Sequence, residues 1–374
     1  MNHFKLGRMG ATEGAMLLIL TLEGRVMLAA VPEAVNQGAA LAWLIYLIAG
    51  VSAFLAGASL VLLQNKFSGD LLHACQTLLG KPGFYLVGGL YALMFMTNGA
   101  LLLRQFASSN WQFGLATIPI QVIVFIYAVL AGLSIYFGLE ALARAAYVLF
   151  PAMLAWLLFI YVSITSSYNI YNLFPWEGLG LAQAAKQGLL WSGTNVSIVL
   201  IAILAPAFQD LRTKLQCVFW GAAISTGLKI IFVLVFLLTI GVEVGREKII
   251  AFFDVASLVY FDKSFQHIED FTTLIWTFLG VGAVGLNMYV FLYLLLRMFS
   301  LPTIRPLVPS AGVLFFALAV LPYNIMDLLN LDFLIFKTFF NLGIYLIPAL
   351  LWAAFLVRRK KPRISTTPAS EENF

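Results

Sequence analysis

Charge is scarce in this 374-residue sequence: Asp, Glu, Lys and Arg together make up 10% of it. There are two cysteines, Cys75 and Cys217, and three histidines, His3, His73 and His267. Two distant thiols build neither a disulfide framework nor a zinc motif, and the histidines lack metal-ligand spacing, so no metal or other cofactor is expected. No nucleophile–base pair, phosphate loop or paired-carboxylate motif is present, which leaves enzymatic chemistry without support. A cleaved leader is not expected, because charges interrupt the first apolar stretch and no small-residue cleavage site follows it. The abundant residues are apolar: 62% are hydrophobic, 14% are aromatic, and the mean hydropathy is +0.95. That composition excludes a soluble globular protein.

Apolar runs of about 20 residues, the length that crosses a bilayer as helix, fall at about 12–35, 39–63, 83–108, 117–138, 141–164, 188–208, 217–242, 270–298, 307–322 and 334–357. The reading is an all-α polytopic membrane protein of ten transmembrane helices in one domain, about 1–364. Lys66 to Lys81 and Glu247 to Phe261 are shorter and amphipathic, which suits helices lying in the interface. Lys5, Arg8, Lys66, Lys81, Arg144, Arg212, Lys214, Arg297 and Arg305 share one side, so the positive-inside rule puts both termini in the cytoplasm. The net charge of +5 does not imply a nucleic-acid partner. Its densest cluster, Arg358-Arg359-Lys360-Lys361-Pro362-Arg363, follows the last apolar run and suits the anionic surface of the lipid bilayer. Residues 358–374 read as a basic, then disordered, cytoplasmic tail.

The most informative stretch is Thr12 to Val35, where Glu23-Gly24-Arg25 interrupts an apolar run. One charge at the centre of a membrane helix costs about 2.5–3.5 kcal/mol on insertion scales. On an unbroken helix, residues two apart point to different sides. Gly24 lowers the cost of a break. The first span is therefore expected to unwind around a buried polar site. Trp191-Ser192-Gly193-Thr194-Asn195 opens the sixth span with polar residues, and Pro206 bends its far end. Breaks in the first helix of each half, with an interfacial helix after the second, match an inverted 5+5 repeat of about 11–164 and 181–357.

Three charges fall deep in the expected membrane: Glu23, Arg25 and Lys229. An ion pair that staples helices and a ligand site are both open readings. In the ligand reading, two cations against one anion leave an excess positive charge for a ligand carboxylate. Glu23 takes the ligand ammonium, and backbone N–H groups freed at Gly24 and Gly193 add donors. Thr21, Asn98, Thr194, Asn195 and Ser197 are further candidates, although small polar residues also bond helix to helix in membranes. Asn287 and Tyr289 read as packing, as do Gly280, Gly282 and Gly285. Arg104 and Lys337 read as snorkelling side chains. Glu140 and Arg144, four apart, read as a surface pair.

Several stretches carry a resemblance: Gly138-Leu139-Glu140-Ala141-Leu142-Ala143-Arg144 with Phe150-Pro151, Leu103-Arg104-Gln105-Phe106, Ala205-Pro206-Ala207-Phe208, and Arg305-Pro306-Leu307. In order and spacing the chain resembles the B subunit of bacterial spore germinant receptors, the GerAB-type spore germination permeases of the APC transporter superfamily. The resemblance implies a LeuT-like fold with discontinuous first and sixth helices, and a place in the spore inner membrane. It also implies germinant receptor A and C subunits as partners, and a small-molecule nutrient, often an amino acid, as ligand. The alternative is a proton-coupled secondary transporter of amino acids. Many relatives carry an acid seven residues before the sixth-span proline, where this chain has Val199.

Overall fold

The computed structural model describes residues 7–25, 30–67, 69–113, 115–259 and 268–359. Lys5, Lys263, His3, His267 and the tail from residue 360 lie outside the described residues. Fifteen α-helices follow one another among the described residues, and no strand is present there. They are α1 (Ala11–Glu23), α2 (Val31–Gly38), α3 (Ala42–Gln64), α4 (Leu71–Phe113), α5 (Ile120–Tyr136), α6 (Leu139–Ser163), α7 (Leu181–Leu190) and α8 (Leu200–Ile203). After these come α9 (Leu211–Ile240), α10 (Val242–Glu247), α11 (Ala251–Ala256), α12 (Ile268–Phe299), α13 (Val308–Ala319), α14 (Ile325–Ile335) and α15 (Ile347–Arg359).

Six helices are long and apolar enough to cross a membrane, and two more, α5 and Arg305–Ala319, are apolar but shorter. The first and sixth expected spans are each divided into pieces. α1 stops at Glu23, with Gly24 and Arg25 in a turn, and the chain is helical again from Val31. The sixth is α7, a 3-10 stretch Trp191–Val199, α8, and a 3-10 turn Ala205–Ala207 that holds Pro206. Between α14 and α15 the last helix carries two π-helical segments, Phe336–Phe340 and Leu342–Leu346.

Helix starts are set by capping side chains. The Gly10 N–H donates to Glu13 (2.9 Å), the His73 N–H to Asp70 (2.9 Å), the Thr213 N–H to Asp210 (2.7 Å) and the Asp327 N–H to Asn324 (2.8 Å). Each satisfies a donor that a helix N-terminus leaves unpaired. The expected interfacial helix Lys66–Lys81 is helical from Leu71, as the first part of α4, set off from the span by Gly80 at φ 75°. Glu247 to Phe261 does not form one amphipathic helix: its described part is the end of α10 and the short α11.

Lipid tails are as apolar as leucine, so close packing and polar contacts hold such helices together. A Cβ at Gly221 would meet the Leu18 side chain at 2.5 Å, and one at Gly285 would meet the Ser134 Oγ at 2.3 Å. Gly280 and Gly282 are likewise filled by Phe106 and Leu20. Asn110 donates to the Tyr127 hydroxyl (2.7 Å) and to Thr277 (2.8 Å), joining α4, α5 and α12. Asp70, 1% exposed, accepts from Tyr293 (3.0 Å) and from Arg297 (2.5 and 3.1 Å), clamping the start of α4 to the end of α12.

This clamp is asymmetric, because the Arg297 side chain is 39% exposed and can reach water if released. Arg297→Ala leaves the buried Asp70 carboxylate with Tyr293 and the His73 N–H but no cation, and is expected to cost about 3 kcal/mol. Asp70→Asn keeps a hydrogen-bonding group in place and is expected to cost about 1 kcal/mol. Thermal unfolding in detergent checks the order; equal losses would refute the asymmetry.

Candidate functional site

The break in the first span brings two polar clusters into the helix bundle. The first is built on Arg25, 3% exposed. Its guanidinium donates to Asn98 on α4 (2.7 Å) and pairs with Asp332 on α14 (2.9 Å). Gln105 donates to the other oxygen of Asp332 (2.9 Å). Asn98 donates in turn to Asn287 on α12 (2.8 Å) and to Ser197 in the sixth-span break (3.4 Å). The rings of Phe336 and Phe340 lie 6.0 and 5.5 Å from the guanidinium, within cation–π range.

The second cluster is built on Glu23, also 3% exposed. Neither carboxylate oxygen has a hydrogen-bond partner. Lys229 on α9 acts on it electrostatically and donates to Asn195 in the sixth-span break (2.7 Å). The Ser225 hydroxyl stands near Glu23, and those of Tyr46 and Tyr161 lie within range of its charge. All three hydroxyls are buried without a hydrogen bond, as is the Trp276 indole N–H. Trp276 and Glu23 face one small cavity of about 10 Å³, otherwise walled by apolar side chains of α1, α6 and α12. That is room for about one water.

The sequence candidates therefore separate. Arg25, Asn98 and Ser197 share the first cluster, and Glu23, Lys229 and Asn195 the second. Thr21 and Thr194 donate to carbonyls of their own helical segments, Leu18 (2.9 Å) and Trp191 (2.7 Å). Gly24 lies under the Phe106 ring, and Gly193 lets the Phe336 carbonyl approach to where a Cβ would be, 2.0 Å away.

Three expectations need correction. Within the two clusters the buried charges are two cations, Arg25 and Lys229, against two anions, Glu23 and Asp332, the last 1% exposed. The clusters themselves leave no excess positive charge for a ligand. Asp332 lies just before 334, where hydropathy begins the tenth span, whereas Asn324 caps the helix at Ile325; an Asn followed by Asp three residues on is the sequence signal of that earlier start. Asn287 is not packing alone, since it accepts from Asn98. Arg104 does not snorkel: it is 5% exposed and donates to the Pro322 carbonyl (3.3 Å).

Lys337 is half-buried, 3.6 Å from Glu33 on α2, with the rings of Trp191, Phe333 and Phe336 at 5.7–5.8 Å. Trp191 donates to Gln37, also on α2 (2.8 Å). At the opposite side Glu140 accepts the Arg8 N–H (3.0 Å) and lies 3.7 Å from Arg144.

Arg25→Ala would leave Asp332 unpaired in the bundle, at about 3–5 kcal/mol. It is expected to deplete folded protein from the membrane, and Arg25→Met with Asp332→Leu to recover most of it. Size-exclusion profiles of the detergent-solubilised variants check this; full recovery by Asp332→Leu would be unnecessary, and the idea fails, if Arg25→Ala alone folds normally.

No individually curated protein matches the chain significantly. Its structure is similar to that of a nucleobase-cation-symport-1 family transporter in a closed conformation with bromovinylhydantoin bound: TM-score 0.65, 13% identity, over 96% of this chain and 80% of that one. It is also similar to a mutant of the Eremococcus coleocola manganese transporter, at TM-score 0.55 and 14% identity over 92% of this chain and 76% of that one. The same transporter in complex with an aromatic bis-isothiourea substituted compound gives TM-score 0.55 and 13% identity with the same coverage. At these identities the likeness establishes the fold, that of LeuT-type transporters. Among the described residues no three His, Cys, Asp or Glu side chains come together as a metal site. The sequence itself matches the spore germination protein family over residues 10–328. With its membrane-length helices and transporter fold, the chain is an integral membrane protein that belongs to the spore germination protein family.

Proposed function

We propose that this chain is the nutrient-recognising B subunit of a spore germinant receptor, binding an amino acid between the breaks of its first and sixth spans. The observation that carries the proposal is Glu23. Every other buried charged side chain among the described residues has a hydrogen bond or close ion pair, while this carboxylate, with Lys229 and Ser225 nearby, has no hydrogen bond of normal geometry; the Ser225, Tyr46 and Tyr161 hydroxyls and the Trp276 indole N–H are buried and unbonded as well. Buried polar groups are normally satisfied, and intramembrane ionisable groups that are not mark functional sites. Glu23 and Lys229 offer one anion and one cation, which suits a zwitterion: the ligand ammonium at Glu23, its carboxylate at Lys229, whose ammonium has donors beyond the one given to Asn195. Thr21, Gly24, Arg25, Asn98, Gly193, Thr194 and Ser197 surround or brace that position.

The cavity at Glu23 is too small for an amino acid, so binding requires α1, α6 and α12 to part. A ligand that binds only the opened state shifts the bundle toward it, and partner A and C subunits read the shift. The reading includes ten spans in an inverted repeat, about 11–164 and 181–357, both termini cytoplasmic, and residence in the spore inner membrane.

In liposomes, a labelled amino-acid panel is expected to show saturable binding without accumulation under an imposed proton gradient. Glu23→Gln is expected to raise the Kd at least about tenfold, the loss of one charge-assisted hydrogen bond, with little change in thermal stability. Accumulation driven by the gradient would replace the sensor with a proton-coupled transporter. Unchanged affinity in Glu23→Gln would remove Glu23 from the site.

A further inference from the structure

Away from the breaks, α5 and α13 form the walls of an apolar groove of about 600 Å³ that faces outward from the bundle. The two helices run antiparallel there. Arg305 lies over the Tyr136 ring at 5.4 Å, Val308 is the side chain beside Gly132, and the Phe125 and Phe316 rings meet edge-to-face with centroids 6.1 Å apart. The ends of the groove differ. The Phe125–Phe316 pair closes one. The other opens past Tyr136 and Arg305, which it shares with a polar cavity of about 730 Å³ that also reaches Arg8, Glu140 and Tyr289.

Length identifies the occupant. From Phe125 to Tyr136 the α5 wall rises about 16 Å, about half of the ~30 Å hydrocarbon core. A crossing helix of another protein would need both leaflets, whereas an acyl chain needs one. The groove is open because a Cβ at Gly312 would find nothing within 4 Å.

Charge identifies the head. Arg8 and Arg305 are exposed at the polar end, and neither has an ion-pair partner among the described residues. The one acid there, Glu140, is already engaged by the Arg8 N–H and by Arg144. The mouth is therefore net basic. We propose that the α5/α13 groove is a binding site for an anionic phospholipid, with one acyl chain along Gly132 and Gly312 and the phosphate at Arg305 and Arg8. The site is independent of the proposed nutrient site, with which it shares no residue.

Native mass spectrometry of the full chain, extracted in mild detergent from membranes holding both phosphatidylglycerol and phosphatidylethanolamine, tests it. Phosphatidylglycerol adducts are expected to dominate. Arg305→Gln is expected to lower their occupancy about fivefold, the weight of one basic residue at an anionic surface. Gly312→Phe is expected to abolish them, while Val162→Phe, on the exposed face of α6, leaves them unchanged. Equal retention of the zwitterionic lipid, or adducts that survive both groove variants, would overturn the site. So would a photo-crosslinker at Val313 that captures a protein in place of phospholipid.

Discussion

A charge held in hydrocarbon needs its opposite close by, and Arg25 has Asp332 at 2.9 Å. The rest of the site depends on that contact. It fixes the turn after α1 against α14, and through Asn98, Asn287 and Gln105 it draws α4 and α12 into the same network. A broken helix inside a membrane also leaves backbone groups that lipid cannot satisfy, so a break is tolerated only where protein surrounds it. The Phe106 ring on Gly24 and the Phe336 carbonyl against Gly193 show how tightly this chain encloses both of its breaks.

The two polar clusters divide the work that one charged pair was expected to do. Arg25 is tied to the scaffold by an ion pair, an amide and two aromatic faces. Glu23 is not, although it is only two residues away and equally buried. Side chains two apart leave a helix in different directions, and the turn at Gly24 lets each reach a different set of helices. One of those sets is held by an ion pair and a chain of amides, and the other has its donors and its acceptor waiting.

The all-helical fold, both breaks and the separate helical start of α4 were legible from hydropathy and from a few misplaced polar residues, above all Glu23-Gly24-Arg25. The partner of Arg25 was not. Asp332 sits within an apolar sequence, Leu331-Asp332-Phe333, but at the edge of the expected span, where a charge needs no explanation. The same edge error misplaced Arg104, because α4 continues to Phe113 and the Pro322 carbonyl closes over the side chain. Tyr46, Tyr161 and Trp276 could not be singled out in a chain with 14% aromatic residues. Hydropathy locates a helix along the chain but not the side from which a neighbour approaches it, and the partners of buried groups are a matter of approach.

The two π-helical segments of the last helix have a bearing on this. A π turn holds one residue more than an α turn, so each segment shifts everything after it by about 100° relative to an unbroken α-helix. The face that α15 turns to its neighbours, including Trp352, whose indole donates to the Ser59 carbonyl at 3.2 Å, is thus offset from the face carrying Asp332 by more than α periodicity allows. Related chains that lack one of these extra residues would have to present different side chains to α3, so gaps in an alignment over 336–346 carry rotational meaning rather than marking a dispensable loop.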